Sequence, residues 1–228
     1  MEKVKLMKSI KETRRAHEVK ALKKACWAIK KTVKGFPRPS LDLTASNFGK
    51  IIENAMDQRL EPQFDPYANS LNYLIACYII PYVGLTGYVG ANPKLQSPQS
   101  KRLLAGLLAV ESAQDAVIRT LLYEKANQTV KPYNITVAEL TDRISVLRNK
   151  LGGSDVKDEG LIIPPEAGAE GKISGNVIAG DKYSLAFDRT PKEILKIVYG
   201  GGSASTPGGF FPKGADGRIA RWYLEQNY

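Results

Sequence analysis

Apolar residues fall at helical spacing along most of the first 150 positions of this chain. Val19, Leu22, Cys26, Ile29 and Val33 stand three or four residues apart and predict a helix over 18–34, which the run Gly35-Phe36-Pro37 stops. Phe48, Ile51, Ile52 and Ala55 predict a shorter helix over 45–57. Two long apolar stretches follow, 65–91 and 97–128. Each opens on a capping side chain followed by proline, Asp65-Pro66 and Ser97-Pro98, so helices are expected from those points. In the second, Leu104, Leu107, Glu111, Gln114, Ile118 and Leu122 share one stripe of a helix expected over 98–127. Thr136-Val137-Ala138-Glu139 reads as a capping box, and behind it Val137, Leu140, Ile144, Leu147 and Leu151 line one face as far as Gly152-Gly153. Residues 152–189 are rich in Gly, Pro and Asp and read as looped or extended chain. Thr190-Pro191-Lys192-Glu193 is a second capping box, opening a helix over 191–199 that Gly200-Gly201-Gly202 closes. Residues 217–228 have room for a final helical turn or two.

The pattern predicts an all-α bundle with a long loop-rich C-terminal extension. It divides into a basic N-terminal helix or arm over 1–34, a helical core over 35–151 and a C-terminal region over 152–228. The stretch 71–91 has no charged residue and is long enough to span a bilayer. Pro81, three glycines and tyrosines at 73, 78, 82 and 88 are spread through its depth rather than gathered at two interfaces, which favours a helix buried inside the bundle.

Charge changes this picture only at one end. The net charge of +10 sits almost wholly in residues 1–34, where 12 Lys/Arg face 3 Asp/Glu; the remainder holds 21 against 20. The segment can touch an anionic surface, but no aromatic platform or base-reading motif accompanies it, so no specific nucleic-acid partner is expected. The single histidine, His17, removes multi-histidine zinc sites and paired Glu-x-x-His sites, and excludes serine-triad chemistry unless His17 itself serves it. Cys26 and Cys77 show no metal or disulfide spacing. The glycine-rich run 200–217 lacks the phosphate-loop pattern and reads as a covering loop. Two N-glycosylation patterns, Asn127-Gln128-Thr129 and Asn134-Ile135-Thr136, bracket one loop.

The residue that carries chemistry is Glu111, a carboxylate on an apolar stripe, with Gln114 and Asp115 beside it. A carboxylate there needs a partner, a proton or a metal. The surrounding motifs, among them residues 64–97 (FDPYANSLNYLIACYIIPYVGLTGYVGANPKLQS), 106–119 (GLLAVESAQDAVIR), 135–152, 168–181, 187–200 and 207–221, resemble the plant ferritin-like desiccation-related proteins from about Ile29 to Arg221. The resemblance implies a ferritin-like bundle and a secreted, apoplastic location, although the start MEKVKLMKSIKETRR lacks the apolar core of a signal peptide. It also implies truncation. Family members carry a first helix with an inward glutamate and a second ending in Glu-x-x-His; here the resemblance begins late, and those Glu and His positions fall on Leu22 and Ala25.

A dinuclear site takes a glutamate from each of two helices and Glu-x-x-His from two others. This chain offers Glu111, with glutamine at 114 in place of histidine. The expectation is therefore a protein that is not an enzyme, with no catalytic, cofactor or metal residue, protective or structural in stressed plant tissue. The alternative is a di-metal carboxylate oxidoreductase or metal-storage protein. A bundle short of one helix leaves apolar faces uncovered, so self-association is expected.

Overall fold

A computed structural model describes residues 39–153 and 155–214. The expectations for 18–34, His17, Leu22, Ala25 and 217–228 lie outside the described residues. Six α-helices and one short hairpin make up the rest, joined by turns and three short 3-10 segments.

Helix α1, Ala45–Met56, is capped by Thr44, whose hydroxyl accepts from the Asn47 amide; it turns Phe48, Ile52 and Met56 inward and ends at Asp57 in the left-handed region, φ 52°. The apolar stretch that follows is two helices, α2 (Ser70–Ile79) and α3 (Pro81–Ala91). Its start differs from the expectation at Asp65-Pro66. Asp65 Oδ1 accepts from the Tyr67 amide in a tight turn, and Asn69 is the residue whose side chain caps the helix. A carboxylate that bonds its own backbone two residues on favours a turn over a helix start. Pro81 breaks the rod because it has no N–H to give the preceding turn.

Ser97 caps α4, Pro98–Tyr123, as its spacing predicts. The helix stops four residues short of 127: Lys125 and Ala126 turn back on Leu122 and Tyr123, and the chain enters the hairpin β1 (Thr129–Val130) and β2 (Ile135–Thr136), paired antiparallel with Thr129 opposite Thr136. Helix α5, Val137–Gly152, is capped by Thr136, but only half of the expected box forms, since Glu139 turns to Arg143 at 3.2 Å. At α6, Pro191–Val198, both halves of the Thr190–Glu193 box are present.

The main core lies where α1, α2, α4 and α5 meet the hairpin, around Ile52, Phe64, Ile75, Leu122, Leu140 and Ile144. Ser70–Lys94 is long and apolar enough to cross a membrane, with mean hydropathy 1.6 and 44% of its most apolar window buried. Its break at Pro81 and the guanidinium groups against its tyrosines identify it as a helix pair of the bundle interior. The outer half of α4 is more open: from Pro98 to Gln114 no residue is fully buried, whereas Asp115, Ile118, Arg119 and Leu122 are.

Candidate functional site

Two polar groups occupy the interior, and they meet along α4. The first is Glu111. Its carboxylate lies against α3 at Gly84, where a Cβ would stand 2.6 Å from both carboxylate oxygens. A glycine is what lets the helices close over an acid here. The Tyr88 hydroxyl bonds to the carboxylate, and Oε2 is buried without a hydrogen-bond partner among the described residues. Burial, opposed by the Tyr88 bond and helped by Asp115, pushes Glu111 up to about 7. Asp115, one turn on and 4% exposed, is pushed up to about 6 by burial despite Arg119 and Arg148 nearby; its Oδ1 is also without a partner. Burial and the Glu111 charge push Tyr88 up to about 12. Gln114 is half-buried on the same helix.

These two acids have a consequence for stability. Their folded forms hold protons more tightly than the unfolded chain, so the stabilisation is complete below pH 4 and is lost as pH rises through 6 to 7. Between pH 5.5 and 8 the protein should lose on the order of 2 kcal/mol. Glu111→Gln should flatten most of that slope while changing stability at pH 5.5 by no more than about 1 kcal/mol. Thermal unfolding of both forms across this range checks the sign.

The second group is a cluster of three arginines that the sequence reading missed. Arg119 on α4 is fully buried and spends all five N–H donors: on the carbonyls of Val177, Glu159, Gly160 and Asn176 at 2.7–3.1 Å, and on the Tyr78 hydroxyl at 3.2 Å. Arg148 on α5 donates to the carbonyls of Tyr78 and Ile79, at 2.7 and 3.2 Å, which sit at the helix end that Pro81 interrupts. It also pairs with Asp158 through Nε at 2.6 Å and Nη2 at 3.0 Å. Arg189 reaches the same carboxylate at 3.6 Å and the Thr86 hydroxyl at 3.2 Å. Tyr78 and Tyr82 lie among the three guanidinium groups, with centroid distances of 4.7–5.9 Å. The signal was present in the helix patterns: Arg119 follows Asp115 by one turn on the α4 stripe, and Arg148 continues the α5 stripe of Thr141, Ile144 and Ser145.

A ferritin-type dinuclear metal centre would need more than this. Opposite Glu111 on α3 stands Gly84 rather than a ligand, glutamine occupies 114, and no group of three His, Cys, Asp or Glu side chains among the described residues is placed to hold a metal. The described residues do not fit that centre.

A mostly helical bundle with an inward carboxylate on its longest helix defines the class, and comparison defines the family. Residues 2–124 match the ferritin-like domain family. The chain belongs to that family, within its plant desiccation-related branch. It is 61% identical over 191 residues, 84% of its length, to desiccation-related protein PCC13-62 of Craterostigma plantagineum. It is 55% identical over 197 residues, 86% of its length, to ferritin-like catalase Nec2 of Nesocodon mauritianus. The chain spans 61% and 63% of the length of these relatives. No solved structure matches it.

The family match takes in residues well ahead of Ile29, where the motif resemblance begins. A relative named a catalase also overturns the expectation that the chain is not an enzyme. That expectation rested on counting ligands for one kind of dinuclear site, and the count says nothing of what a buried acid near pKa 7 can do for another reaction.

Proposed function

We propose that this chain acts as a dehydration-stress protein of plant tissue, protecting other macromolecules or structures as water is withdrawn. The observation that carries this reading is the 61% identity, over 191 residues, to a protein named for desiccation. Drying is tested directly: a dehydration-sensitive enzyme is dried with the chain, or with an equal mass of serum albumin, and its recovered activity is measured on rehydration. Recovery should exceed that with albumin; equal recovery contradicts the reading.

A second reading is peroxide disproportionation by the intact protein. It is favoured by the 55% identical relative named a ferritin-like catalase. Glu111, held near half-protonation at neutral pH beside the Tyr88 hydroxyl, is the group such a reaction would use to take up and return a proton. Oxygen evolution from hydrogen peroxide, compared between the wild type and Glu111→Gln with and without added manganese or iron, separates the two readings.

A further inference from the structure

The two glycosylation patterns seen in the sequence lie at the hairpin between α4 and α5, and the structure treats their asparagines unlike most others. Asn47, Asn69, Asn72, Asn149 and Asn176 each spend the side-chain amide on a helix cap or a loop carbonyl. Asn127 and Asn134 are exposed, and neither side chain makes a hydrogen bond within the described residues. The turn that carries Asn127 is held by backbone alone: Gln128 N–H to Lys125 O at 2.8 Å, Val137 N–H to Gln128 O and Ala138 N–H to Ala126 O, both at 3.0 Å. A group added to the Asn127 amide therefore displaces nothing.

The neighbouring positions distinguish the two patterns. Gln128 and Thr129 are exposed along with Asn127, and the Thr129 hydroxyl has no partner within the described residues. In the second pattern the Thr136 hydroxyl is occupied as the cap of α5, accepting from the Glu139 amide at 3.2 Å. Asn134 sits in the left-handed region, φ 51°, next to Tyr133, whose ring packs on Phe64. Once the chain has folded, only the first pattern keeps both its amide and its hydroxyl available.

We propose that Asn127 is an attachment site for an N-linked glycan. In the step concerned, the side-chain amide nitrogen of Asn127 forms a bond to the anomeric carbon of an N-acetylglucosamine and loses one proton. The sugar's bond to the diphosphate of a polyisoprenyl-linked oligosaccharide donor breaks, and the polyisoprenyl diphosphate leaves with the electron pair. No oxidation or reduction takes place. The glycan stands on the loop joining α4 to α5, on an exposed turn outside the polar interior around Glu111 and Arg119.

The test is peptide mapping of the protein purified from its own tissue, after release of glycans by an amidase in heavy-oxygen water. Each occupied asparagine becomes a heavy aspartate. Label at Asn127, with or without label at Asn134, is the expected result; an unmodified Asn127, including the case where Asn134 alone carries label, overturns the proposal. In a second arm the chain is secreted from plant cells. Thr129→Ala and Asn127→Gln should each remove one glycan step on a gel, and the same variants made without glycan in bacteria should melt as the wild type does. A gel pattern unchanged by both substitutions also overturns the proposal.

Discussion

Arg119→Met should lower the stability of the fold by about 4 kcal/mol or more, a large share of the roughly 5–15 kcal/mol that holds a domain together. The methionine fills a similar volume, so packing loss is a minor part. The cost comes chiefly from the carbonyls of Asn176 and Val177, which are orphaned when the guanidinium goes; those of Glu159 and Gly160 lose it too but keep the Tyr78 hydroxyl and the Asn176 amide. An orphaned buried acceptor costs roughly 1–3 kcal/mol, and partial relaxation of the loops recovers some of the sum. Arg119→Lys should rescue little, because one ammonium offers three donors in a different geometry from the five used here. Urea unfolding gives the magnitude. The exposed pair Arg143–Glu139 is the control: Arg143→Ala should change stability by no more than about 0.5 kcal/mol.

Asp158→Ala is expected to have an effect of similar size, about 3–5 kcal/mol. This carboxylate pairs with Arg148 and Arg189, all three being within 2% of complete burial. Removing it leaves Arg148 facing Asp115, which burial holds toward its neutral form, and Arg189 with the more distant Glu193 carboxylate. The double substitution Asp158→Ala, Arg148→Met should cost less than the sum of the two single changes, because it removes a charge together with its partner. Chemical denaturation of the three variants completes the cycle. Additive effects would mean that the pair is not coupled.

How much of this was readable beforehand depends on the range of the interaction. Helices α1, α4, α5 and α6 were legible because their caps and apolar stripes are local. Ser97, Thr136 and Thr190 all cap as their positions suggest. The start of α2 was misread because Asp65-Pro66 satisfies the same local pattern while its carboxylate closes a turn. Glu111 stood out as an acid on an apolar stripe. Its depth of burial was not legible, since it depends on Gly84 arriving opposite from another helix. The arginine cluster was the least accessible. Arg119 and Arg148 look like ordinary surface charges until residues about 40 to 70 positions away supply carbonyls and a hydroxyl, and the 152–189 region, read as surface loop, is where most of the Arg119 acceptors and Asp158 lie.

That same geometry makes the metal question decisive. The family supports dinuclear chemistry through several carboxylates and histidines, and the described residues here bring one full candidate ligand, Glu111, against a bare glycine. The most direct test is a calorimetric titration of the purified chain with manganese(II) and iron(II) under anaerobic conditions, followed by metal analysis after desalting. No metal should be retained, and any binding should be weak and abolished by Glu111→Gln. Two tightly held metal ions per chain would contradict this reading of the site.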